Sequence, residues 1–62
     1  MGTLNTTRNV ARPDDVYALL IAAHEGKTKD ESDAFNARLI LTLINHIGDE
    51  EVIAEALKVA EG

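Results

Sequence analysis

The stretch from Lys29 to Ile47 decides most about what this chain can fold into. Ala34, Phe35, Ala37, Leu39, Ile40, Leu41, Leu43, Ile44 and Ile47 are its apolar residues. Placed at ~100° per residue, they cover roughly 240° of a helical wheel, where one-sided packing needs a stripe of about 100°. Only Arg38, Thr42 and Asn45 make a clearly polar strip. A helix this apolar must be covered on most of its circumference.

The chain has little to cover it with. It has 62 residues, so it is one domain at most, and a domain near this size buries only about 60% of the surface its unfolded chain exposes. It has no Cys and two His, which leaves out disulfides and thiolate metal sites and makes a metal staple unconvincing. The hydrophobic content of 45% is that of a folded chain, not a disordered one. Two short neighbouring helices cover part of the arc, and Ile21 is surplus as well. The expectation is a self-associating or partner-bound surface built from Ile21, Ile40, Leu41 and Ile44. The competing reading is a central helix wrapped by both neighbours and by the N-terminal residues.

Local signals set the element order. Residues 1–12 are polar and without helical period, which predicts an extended arm that Leu4 and Val10 could pin. Pro13 suits a first helical position, and Asp14 and Asp15 favour the positive end of the helix dipole. This helix is predicted to run to about Glu25, with Gly26 as its stop. Val16, Leu19, Leu20 and Ala23 share one face, and Tyr17, Ile21 and His24 form a second stripe. Thr28 and Glu31 fit a capping box for the helix from Lys29 to Ile47, which Gly48 ends. Asp49 caps a third helix over Glu50–Glu61, with Glu55 and Lys58 placed to pair at i,i+3. Short connections predict antiparallel neighbours. The fold class is all-α: a small three-helix bundle over residues 13–62 with an extended N-terminal arm.

No constellation carries a reaction. There is no His-Glu-x-x-His, no Ser or Thr with a His and a carboxylate at recognisable spacing, and no Gly-rich loop opening a helix. No catalytic residue, metal site or cofactor is expected. Ser32 lacks the sequence setting of a carrier protein's attachment serine, and the chain is a helix short of that fold. With eleven acidic and six basic side chains the net charge is -5, which repels nucleic acid and anionic lipid, and no helix carries a Lys/Arg cluster. No apolar run approaches the ~20 residues of a membrane span, and no leader is visible, so a cytoplasmic location is expected. Matches to a myristoylation pattern at Gly2 and a glycosylation pattern at Asn5 are read as chance.

Several polar residues stand out nonetheless. Asn36 falls inside the apolar arc, where an unpaired amide costs about 1–3 kcal/mol. It can fix register between helices, recognise a partner, or be exposed. Arg38 can pair with Asp30 or Asp33, or with an acidic partner group. His24 and His46 each end a helix, where the dipole favours imidazolium, and His46 can also bond a carbonyl or Asp49. Tyr17, His24, Asn45, His46 and Asp49 are the candidate ligand or partner contacts.

Ala22-Ala23-His24-Glu25-Gly26, Glu31-Ser32, Asn36-Ala37-Arg38-Leu39-Ile40-Leu41 and Asn45-His46-Ile47-Gly48-Asp49, with the Leu4-Asn5-Thr6 start, resemble a small bacterial family catalogued only as a domain of unknown function. The resemblance covers nearly the whole chain, and Asn45–Asp49 is its most specific part. Members of that family are short stand-alone proteins often encoded beside FAD-dependent aromatic hydroxylases. The resemblance implies an accessory role near such an enzyme, with Asn36, Arg38, Asn45, His46 and Asp49 as the positions that match the family's motif.

The expected function is therefore a non-enzymatic interaction or accessory module, acting as a homo-oligomer or docked on a partner protein. Asn36 or Arg38 would set specificity. The alternative is a small-ligand or cofactor-binding helical protein with Tyr17 and His24 at the mouth of a pocket.

Overall fold

The computed structural model describes residues 2–62; Met1, the first residue of the expected arm, lies outside them. The protein is all-α, with α1 over Pro13–His24, α2 over Lys29–Ile47 and α3 over Glu50–Glu61.

The helix ends follow from local chemistry. Pro13 opens α1 with Asp14 and Asp15 in the first turn, and no side chain caps it. α1 ends at His24, one residue earlier than the apolar pattern predicts, because Glu25 takes an extended ψ of 134°. Gly26 then turns the chain with a φ of 76°. At the start of α2 the capping box is complete: Thr28 Oγ1 accepts from the Glu31 N–H at 3.2 Å, and Glu31 Oε1 accepts from the Thr28 N–H at 2.8 Å. Gly48 closes α2 in the left-handed region, donating its N–H to the Ile44 carbonyl at 2.9 Å. Asp49 follows at once as the N-cap of α3, its Oδ1 accepting from the Glu51 and Val52 N–H groups.

Helix contacts are few. A polar and aromatic latch joins the last turn of α1 to the start of α2. His24 Nδ1 lies 2.9 Å from Ser32 Oγ, the His24 ring meets Phe35 edge-on at 5.2 Å, and Lys27 Nζ stands 4.8 Å over the same ring. Every α1 residue from Pro13 to Ala22 is otherwise exposed. α2 and α3 meet at the two-residue Gly48-Asp49 corner. The radius of gyration is 13.3 Å, with extents of 39 × 24 × 23 Å. A compact chain of this length has a radius near 10.6 Å. The helices are thus arranged openly.

The arm is held at its start. The Gly2 N–H donates to Asp49 Oδ2, and a Cβ at residue 2 would lie 2.6 Å from that oxygen and 2.9 Å from Val52 Cγ2, so a larger residue there would have to displace those side chains. Leu4 is half-buried, whereas Val10 is exposed. Among the described residues the ion pairs are Arg12–Asp15 at 3.5 Å and Lys29–Asp33 at 2.8 Å, both at the surface and worth a few tenths of a kcal/mol at most. The pairing of Glu55 with Lys58 expected from their spacing does not form, and Arg38 finds neither Asp30 nor Asp33, the latter being held by Lys29.

Candidate functional site: an open apolar groove

The inner faces of α2 and α3 form a groove of about 300 Å³. Ile40, Leu43, Ile44 and Ile47 line one wall, and Ile53, Ala56, Leu57 and Ala60 line the other. On each helix these are the i, i+3, i+4 and i+7 positions of a single stripe. A stripe of this spacing ordinarily meets a packed neighbour, but here no third element covers it.

Among the described residues no side chain is buried, and twelve large apolar side chains lie exposed. They include Leu19 at 70%, Leu41 at 66%, Leu57 at 65% and Ile40 at 55% exposure. The chain presents 5479 Å² of accessible surface. A folded monomer of 6.7 kDa presents about 3,900 Å². The surplus of about 1,600 Å² is the same fact in area: the described residues enclose no fully buried core.

The structure separates the residues singled out from the sequence. Ile40 and Ile44 come together in the groove. Asn36 lies one turn before Ile40 on the same face of α2, yet it is exposed and makes no side-chain hydrogen bond among the described residues, so it fixes no register among them. Arg38 is exposed on another face, and its carbonyl accepts from Thr42 Oγ1 at 2.8 Å. Ile21 and Leu41 are exposed outside the groove. Tyr17 and His24 sit on α1 and line no part of the groove, so the pocket expected with them at its mouth is not where the apolar space is. His24 belongs to the α1–α2 latch, whereas His46, at the far end of α2, is exposed and among the described residues bonds neither a carbonyl nor Asp49. Asn45 is exposed beside it. The α3 wall and Leu43 and Ile47 were absent from the expected interface. The signal was present, since Ile53, Ala56, Leu57 and Ala60 are regularly spaced, but that stripe reads equally well as core.

Asp49 is committed to structure. Val52 foremost, then Gly2 and Glu51, donate backbone N–H groups to its carboxylate and hold its pKa below the ordinary carboxylate value. A group whose pKa is lowered by folding stabilises the fold above its unfolded pKa of about 3.9, and that contribution disappears as pH falls through the folded value. Acidification below about pH 4 is therefore expected to loosen the start of α3 and release the arm. Asp49→Asn keeps an N-cap acceptor without a titrating proton and is expected to flatten this part of the acid limb. Glu31, lowered chiefly by the Thr28 N–H, retains its own share. Amide signals of Glu51 and Val52 followed against pH test this, and an identical acid limb in the variant refutes it.

The chain matches, over residues 4–62, the family described as "Protein of unknown function (DUF2783)". It belongs to that family. No curated protein and no solved structure matches it. Membership of DUF2783 covers all three helices and most of the arm, so the open groove lies wholly within the family's domain. No helix among the described residues is long and apolar enough to cross a membrane.

Proposed function

We propose that this protein is a non-catalytic interaction module, cytoplasmic and bacterial, whose apolar helix faces are closed by another protein chain. It acts as a homo-oligomer, as an accessory subunit docked on an enzyme, or as both. One observation carries the reading: a folded three-helix chain with no buried side chain among the described residues and a wholly apolar groove. Exposed apolar surface of this extent marks an interface. The net charge of -5 argues against nucleic acid or anionic lipid as the covering partner. The resemblance to proteins encoded beside FAD-dependent aromatic hydroxylases makes such a hydroxylase the enzyme to try first.

The alternative of a small-ligand site rests on the same groove. Ligand pockets pair apolar walls with a few polar groups that fix orientation. Here all eight lining residues are Ile, Leu or Ala, which suits a helix face better than a flavin or an aromatic acid. Neither FAD nor an aromatic acid is expected to raise the melting temperature, and a clear rise with either would favour the alternative.

Absolute mass by light scattering over a dilution series, with a hydrophobic dye alongside, tests the main reading. A mass above one chain is expected, or else a single chain that binds the dye until the hydroxylase is added. A single chain at every concentration that binds no dye overturns it.

A further inference from the structure

We propose that the groove between α2 and α3 is filled by α1 of a second copy of this chain, which in turn receives α1 of the first. This rests on the interaction reading above and names its partner. The amount of surface points to a second copy. Each chain presents 5479 Å², about 1,600 Å² more than a folded monomer of its mass. Closing that surplus on two copies buries about 3,200 Å², within the roughly 2,000–5,000 Å² of obligate homodimers and above the ~1,600 Å² of a standard-size contact.

The chain also carries both halves of the contact. α1 presents Val16, Leu19, Leu20 and Ala23 as one ridge, with Leu19 70% exposed, Val16 and Leu20 about 40% exposed and Ala23 half-buried at the latch. The i, i+3, i+4, i+7 spacing is that of a helix anchored in a groove. The ridge from Val16 to Ala23 and the groove wall from Ile53 to Ala60 span the same seven steps of helix, so each is about 10.5 Å long. An unrelated partner seated in the groove would leave the α1 ridge in water. Reciprocal exchange covers both faces at once and closes with two-fold symmetry. The attachment of α1 permits this: it is held through its last turn by His24 on Ser32 and Phe35, and its body stands free of α2 and α3.

The protein has no cysteine, so single-cysteine variants report single positions. Leu19 lies near the middle of α1 and Leu57 near the middle of the α3 wall, so the two meet whichever way the helix runs. A tagged Leu19→Cys chain is unfolded and refolded with an untagged Leu57→Cys chain, then oxidised. Most of the tagged chain is expected in a mixed disulfide, at a mass of two chains. Leu41→Cys, outside the groove, is expected to give little with the same partner. A two-chain mass without the mixed disulfide overturns the exchange and leaves the interaction reading standing. A single-chain mass with dye binding overturns the second copy and leaves another protein as occupant. A double Leu19→Cys/Leu57→Cys chain that closes an internal disulfide at single-chain mass, binding no dye, overturns both.

Discussion

Ile44→Glu is expected to reduce the assembly to single chains while leaving helical content near that of the parent. Ile44 stands mid-groove on α2, flanked by Ile40 and Ile47, and is half-buried in the single chain. Glu is at least as good a helix former as Ile, so α2 itself loses little. In the closed assembly its carboxylate would face only Ile, Leu, Val and Ala side chains, with no cation and no donor. An uncompensated charge in such a setting costs about 3 kcal/mol or more, which weakens association at least 100-fold. Light scattering reads the mass and far-ultraviolet circular dichroism the helicity. Leu41→Glu, equally apolar to charged but on a face outside the groove, is expected to leave the mass unchanged. A full assembly in the Ile44 variant would remove the groove from the interface altogether.

That contrast between Ile44 and Leu41 marks where the sequence stops being legible. Helix ends are local matters, and they were readable from short motifs: Thr28 with Glu31, Gly48 in the left-handed region, and Asp49 directly before α3. The α1 end falls one residue before the sequence pattern places it, because Glu25 leaves helical geometry before Gly26 is reached. Face assignment is not local. Ile40, Leu41 and Ile44 look alike on a wheel that is apolar over most of its circumference, and only the position of α3 separates the groove wall from the outer face. The Ile53-Ala56-Leu57-Ala60 stripe reads as core until one sees that α1 does not come to cover it. His24 and Ser32, eight residues apart, meet because of the α1–α2 turn. The contact of Gly2 with Asp49 spans 47 positions, and no spacing rule reaches that far. Asn36 shows the converse: its place on the groove face was readable, but its lack of any partner within the chain was not.

The melting temperature is expected to rise with protein concentration. With no side chain fully buried among the described residues, the chain draws little stability from its own core, because the apolar burial that offsets chain entropy is small. The stability must then belong to the assembly, and folding and association become one equilibrium. Each tenfold dilution of a two-chain assembly removes about 1.4 kcal/mol, equivalent to several degrees in a protein this small. A hundredfold dilution series followed by circular dichroism should therefore shift the transition by about 10 °C. A melting temperature independent of concentration would mean that the single chain closes on itself. Salt separates self-association from docking on a basic partner. Two chains of charge -5 repel through their solvated faces, while the groove between them carries no charge. Screening that repulsion is expected to raise the transition as ionic strength increases, whereas a contact built on opposite charges weakens under the same change.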